Sequence, residues 1–188
     1  MGKLITFQIL CNNIRGATSK FRYFNGTKSL VDSTHFDIIA LQETWASPDN
    51  FDYTDLYSDL NENYEFSVSK LTKSNSHNLS GTGMAVLNDK NTTVKIQDTS
   101  FDERIQAVSF STPALTLVNI YAPVWNAKDM TYEEFHSNLM QALENIAKYD
   151  PNIVILGDFN KIPSKNKIID DLCSRQGRRG AFIPSGAS

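Results

Sequence analysis

The apolar residues of this chain come in short runs, and the spacing of those runs restricts the fold more than any other feature. Ile5, Phe7, Ile9 and Cys11 alternate with Thr6, Gln8 and Leu10, the pattern of a half-buried strand. Phe36 to Leu41, Tyr64 to Ser69, Met84 to Leu87, Thr93 to Ile96, Ile105 to Phe110, Leu115 to Tyr121 and Ile153 to Leu156 are each short and bounded by polar or turn residues. Runs of that length read as strands, and the regular spacing of the four between Met84 and Tyr121 predicts a sandwich or meander of antiparallel strands. One segment has clear helical periodicity. Thr131-Tyr132-Glu133-Glu134 fits a capping box, and Phe135, Leu139, Ala142, Leu143 and Ile146 share one face behind it, which predicts a helix over 132–148. Phe21 to Ser33 is weakly helical and interrupted by Asn25-Gly26, residues 46–63 read as a long surface loop or a short helix, and residues 70–82 are polar. After Asn160 the pattern weakens: 161–188 is basic and polar, with no strong strand.

A chain of 188 residues is expected to form one domain with a sizeable core. Its two cysteines, Cys11 and Cys173, do not read as a disulfide framework, and Cys11 reads as a buried thiol. The chain is therefore expected to be intracellular, with nucleus and cytoplasm not distinguished. No apolar run approaches the ~20 residues that span a bilayer, so no membrane partner is expected. The net charge of −3 excludes a uniformly basic nucleic-acid binder, but residues 1–30 hold Lys3, Arg15, Lys20, Arg22 and Lys28 with no Asp or Glu. Such an end can lie along a phosphate backbone or simply be solvated.

Chemistry is suggested by where the apolar runs lead. The first leads to Asn13, the second to Glu43, the run Leu115–Tyr121 to Tyr121-Ala122-Pro123, and the run ending at Leu156 to Asp158 and Asn160. Glu43 is a hard oxygen donor suited to Mg²⁺ or Mn²⁺. Asp158 can orient or deprotonate a water. The amides of Asn13 and Asn160 and the Tyr121 hydroxyl can hydrogen-bond phosphate oxygens as charge builds. Each residue alone has a plainer use: Asp after a strand is a common turn former, and Tyr at a strand end commonly packs. The histidines His35, His77 and His136 have no metal-ligand spacing, and His136 is expected on the helix surface.

Together, and in this order, Asn13-Ile14-Arg15-Gly16, Leu41-Gln42-Glu43-Thr44, Asn119-Ile120-Tyr121-Ala122-Pro123 and Gly157-Asp158-Phe159-Asn160 resemble the endonuclease/exonuclease/phosphatase superfamily. Asn-Ile-Tyr-Ala-Pro looks most like the apurinic-endonuclease-like domain of LINE-type (non-LTR) retrotransposons. The resemblance runs from Lys3 to about Pro163. It implies an α/β (α+β) fold, a four-layered sandwich of two mainly antiparallel sheets flanked by helices. It further implies Mg²⁺-dependent cleavage of a phosphodiester by water, with Mn²⁺ as a substitute. Carried over by position, Glu43 holds the metal with support from Asn13, Tyr121 touches the scissile phosphate, Asp158 positions the water and Asn160 binds the phosphate. Arg15, Lys20 and Arg22 are the expected DNA contacts, and a reverse-transcriptase polyprotein is the expected parent.

Two departures accompany the resemblance. Arg15 stands where some members have a carboxylate, and the closing Asp and Asp-His pair of the pattern have no counterpart after Asn160. The domain is thus expected to be incomplete after about residue 163, and inactive or weakly active as this chain. An inositol-phosphate phosphatase, an RNA deadenylase and a non-catalytic remnant are the alternative readings.

Overall fold

The computed structural model describes residues 6–13, 36–44, 64–68, 82–87, 93–95, 103–112, 114–124, 127, 130–150, 152–160 and 181–184. Along the chain these form β1 (Ile9–Asn13), β2 (Ile38–Gln42), β3 (Tyr64–Val68), β4 (Thr82–Leu87), β5 (Thr93–Lys95), β6 (Ile105–Thr112), β7 (Ala114–Tyr121), α1 (Tyr132–Ala147), β8 (Ile153–Asp158) and β9 (Ala181–Pro184). One sheet has the order β1-β2-β4-β3 and the other β5-β6-β7-β8-β9. Among the described residues four of the seven pairings are antiparallel, and β1/β2, β7/β8 and β8/β9 are parallel. The two sheets of the expected sandwich are therefore present, the first mainly antiparallel and the second an even mixture of antiparallel and parallel pairings, with α1 outside the second. The helices expected outside the first sheet are not among the described residues, and the expectations for 21–33, 46–63 and 70–81 lie outside those residues as well.

Strand alternation divides the second sheet into two faces. Ile105, Ala107, Val118, Ile120, Ile153 and Ile155 face α1, where Phe135, Leu139, Ala142, Leu143 and Ile146 cover them. The other set, Val108, Phe110, Leu117 and Leu156, meets Ile38 and Ala40 of β2 and Phe7, Ile9 and Cys11 of the first chain segment. Phe7 and Phe110 lie with ring centroids 5.9 Å apart in this seam. The helix begins as its sequence demands. The Glu134 amide donates to the Thr131 hydroxyl at 3.2 Å, and the Thr131 amide donates to the Glu134 carboxylate at 2.8 Å. The Thr131 amide, and the Thr131 hydroxyl donating to the same carboxylate at 2.8 Å, hold the Glu134 carboxyl below its usual range. α1 is the crossover that two parallel neighbours, β7 and β8, require.

Two expectations change. Residues 161–188 do contain a strand, β9, which pairs parallel to β8. Its apolar stretch is too short to stand out, and Pro184 is tolerated because it lies at the sheet edge, where no N–H is demanded. His136 is half-buried rather than a surface residue. No helix among the described residues is long and apolar enough to cross a membrane.

The packing gives a direct expectation for stability. Leu139→Ala, at a position with no exposed surface, should cost about 3 kcal/mol through the cavity it leaves. Thr131→Ala should cost about 1 kcal/mol by removing the cap. Urea unfolding of both variants checks the order, with the core change the larger.

Candidate active site

Parallel neighbours bring their C-terminal ends to one rim, and two such pairs do so here. Asn13 lies opposite Gln42, so Glu43 emerges beside Asn13. Tyr121 lies opposite Asp158 in the other sheet. Because the two sheets pack face to face, both rims meet along the seam. The Asn13 amide nitrogen donates to Glu43 Oε1 at 2.7 Å and to Asp158 Oδ2 at 2.9 Å. A single amide thus joins a carboxylate from each sheet. The Tyr121 hydroxyl donates to the Glu43 side chain as well. Asn13, Glu43, Tyr121 and Asp158, four residues expected from the sequence, form one constellation.

Asn160 closes the same rim. Its amide N–H donates to Asp158 Oδ1 at 2.9 Å, an Asx-type turn, and its side-chain nitrogen donates to the Ala122 carbonyl at 2.6 Å. Asp158 is therefore turn former and site residue at once, one oxygen serving each use. Asn160 has φ 47°, a left-handed conformation that Asn tolerates. Glu43 has φ 52°, which is uncommon for Glu and marks stored backbone strain on the order of 1–3 kcal/mol. Its flanking residues Gln42 and Thr44 are buried, and together with the bonds from Asn13 and Tyr121 they hold it there.

Gly157 allows the second rim to close. Its φ is 135°, and a Cβ there would sit 2.0 Å from the Ile120 carbonyl oxygen of β7. Only glycine lets the two backbones approach closely enough to set Asp158 beside Tyr121.

The electrostatics favour neutral donors around two carboxylates. Burial raises the Tyr121 phenol above its usual range, and the Glu43 charge and hydrogen bond raise it further, while the Arg104 cation draws it back in part. Tyr121 thus keeps its proton through the neutral range. Arg104 is buried, with its guanidinium 4.8 Å from the centre of the Tyr121 ring and a bond of 3.3 Å to the Tyr121 carbonyl. Below the rim, Cys11 is half-buried, and burial pushes its thiol up to about 11. It is neither a thiolate ligand nor a nucleophile at neutral pH.

Among the described residues no group of three or more His, Cys, Asp or Glu gathers into a metal cluster. What the rim offers is two carboxylates and an amide. That hard-oxygen set fits Mg²⁺, which keeps most of its waters and takes one or two carboxylates along with substrate phosphate. The expected DNA contacts Arg15, Lys20 and Arg22 lie outside the described residues. Arg104, Gln42 and Asn119 support the rim and had no role assigned from sequence. Arg104 becomes visible only once β6 and β7 are in register, with Tyr121 bonded to the Arg104 carbonyl at 2.9 Å. For Gln42 and Asn119 the available signal was an amide at an inward position of an otherwise apolar strand.

A two-sheet α/β sandwich with this rim is a fold of the phosphodiesterase and nuclease type. The chain belongs to the endonuclease/exonuclease/phosphatase family, whose model matches residues 13–178. Compared by sequence with curated proteins, it has no significant match. Among solved structures it is similar to the 3′ phosphatase NExo from Neisseria bound to a product DNA hairpin, with a TM-score of 0.60 and 17% identity. That match covers 85% of this chain and 60% of the other. The 3′-5′ exonuclease NExo from Neisseria meningitidis gives 0.58 at 18% identity over 82% of this chain and 58% of its own. Truncated TDP2 from Caenorhabditis elegans gives 0.55 at 18% identity over 84% and 64%. The chain spans about three-fifths of the length of these structures, and at such identities the likeness is one of fold.

Two outcomes follow from this geometry. Gly157→Ala should destabilise by about 3 kcal/mol or prevent folding, since both φ and space forbid a side chain; thermal unfolding checks it. The folded-state value of Cys11, about 11, lies above its ordinary 9.0, so its contribution to stability is complete below pH 9.0 and is lost as pH rises toward 11. Urea midpoints taken across that interval should fall less in Cys11→Ala than in the parent.

Proposed function

We propose that this chain is the core of a Mg²⁺-dependent DNA endonuclease domain of the LINE-type retrotransposon kind, which hydrolyses a phosphodiester with water. The observation that carries the reading is the Asn13 amide joined to Glu43 and Asp158 at the meeting of the two sheets. DNA as the substrate is supported by the Asn119-Ile120-Tyr121-Ala122-Pro123 signature, by the basic segment holding Arg15, Lys20 and Arg22, and by the DNA hairpin in the Neisseria structure. Such a domain works inside the cell, within a parent reverse-transcriptase polyprotein.

Glu43, supported by Asn13, would hold the ion. When bound, Mg²⁺ supplies positive charge to the phosphate oxygens. The remaining work falls to the chain's own groups. Asp158, its oxygens oriented by Asn13 and Asn160, aligns the attacking water and accepts its proton. Tyr121 remains an un-ionised donor to the phosphate. Asn160 has spent one side-chain N–H on the Ala122 carbonyl, and the other is the donor to the transition state.

Supercoiled plasmid with Mg²⁺ tests the proposal, beside inositol phosphates and a 3′-phosphorylated DNA duplex. Mg²⁺-dependent nicking is expected, falling by ~10²-fold or more in Asp158→Asn and vanishing in Glu43→Gln and on chelation. Mg²⁺ should also raise the melting temperature, because it binds only the folded chain. Nicking that survives Glu43→Gln would refute the assignment. Phosphate release from either other substrate without nicking would move the activity to a phosphatase of the same family.

A further inference from the structure

The seam between the sheets is apolar at its floor and catalytic at its rim, and between the two lies a layer the proposed chemistry does not use. Gln42 and Asn119 occupy it, each with no exposed surface. Gln42 Nε2 donates to Asn119 Oδ1 at 2.7 Å, and Asn119 Nδ2 donates to the Leu41 carbonyl at 2.9 Å. Asn119 therefore grips both the side chain of Gln42 and the backbone before it, from the opposite sheet. The same Gln42 nitrogen also lies 3.5 Å from Cys11 Sγ on β1.

Stability alone does not account for this pair. Replacing both members of a buried hydrogen-bonded pair by apolar groups of similar shape is often neutral or stabilising. The Gln42 side-chain oxygen, moreover, is buried without a hydrogen-bond partner among the described residues. What the amides supply is register. Apolar faces slide over one another at little cost, whereas two directional bonds fix β2 against β7 along the strand axis. Glu43 directly follows Gln42, and Tyr121 lies two residues beyond Asn119 on the same face.

We infer that Gln42 and Asn119 are a positioning pair: their buried amide bond sets where Glu43 and Tyr121 stand relative to each other across the seam. The role rests on the function proposed above, in which Glu43 holds the ion. The pair touches neither ion nor phosphate. It acts by holding a strained Glu43 backbone and the phenol that bonds to it in one arrangement, and a misplacement of ~1 Å at such a site costs about 10²-fold in rate.

The test compares three proteins: the parent chain, the apolar double variant Gln42→Leu/Asn119→Leu, and the exchanged pair Gln42→Asn/Asn119→Gln, which keeps the combined bridge length. Each is read for melting temperature, for Mn²⁺ dissociation constant by electron paramagnetic resonance, and for kcat and KM in nicking. The apolar variant should melt no lower than the parent, yet bind Mn²⁺ at least ~10-fold more weakly and lose about 10²-fold in kcat with KM little changed. The exchanged pair should recover most of both losses. An apolar variant whose melting temperature, Mn²⁺ affinity and kcat all fall together would show a purely structural pair and overturn the inference, as would unchanged affinity and kcat. A parent chain that binds no Mn²⁺ and cleaves nothing would remove the proposed function itself, and the positioning role with it.

Discussion

The Asn13 amide is the interaction on which the site depends. Its nitrogen has two hydrogens, and each goes to a carboxylate carried by a different sheet. That arrangement requires β1 and β2 to be parallel and in register, β7 and β8 to be parallel and in register, and the two pairs to face each other at the same height. Everything below the rim serves that last requirement. The apolar floor of Ile38, Ala40, Leu117 and Leu156 drives the sheets together without direction, and the amide layer of Gln42 and Asn119 gives the contact a direction.

The polarity gradient along the seam has an energetic logic. Apolar burial stabilises at about 25 cal/mol per Å² regardless of alignment, so the floor tolerates small shifts. Hydrogen bonds in a dry interior do not, because a buried donor or acceptor left unmade costs on the order of 1–3 kcal/mol. Polar groups therefore become more numerous where placement matters. Strain follows the same gradient: the left-handed Glu43 and Asn160 and the glycine-only Gly157 all lie at the rim. The packed sandwich and α1 over-determine those conformations, which is the condition under which strained residues persist.

Much of this was legible in the chain. The capping box at Thr131 and the apolar face behind it specify α1 almost to the residue, because cap chemistry and period 3.6 are local signals. The strands were legible as short apolar runs, and Asn13, Glu43, Tyr121, Asp158 and Asn160 as the residues to which those runs lead. Pairing was not: whether neighbours run parallel is decided by contacts distant in sequence, and β8 with β7 could be told from a meander only once α1 was seen as a crossover. The strand β9 was missed because three apolar residues before a proline carry too little pattern. Arg104 was missed because its partner, the Tyr121 ring, is defined by cross-strand register alone. Gly157 looked like a turn residue in a motif, and only the nearness of Ile120 shows that it is a contact residue.

Double-mutant cycles of Asn13→Ala with Glu43→Ala and with Asp158→Ala, read by urea unfolding, measure whether Asn13 physically couples the two carboxylates. A coupling of about 1 kcal/mol is expected in each cycle, as for groups that share a hydrogen bond. Additivity within about 0.3 kcal/mol in either cycle would contradict it, and would mean that the two sheets carry their carboxylates independently.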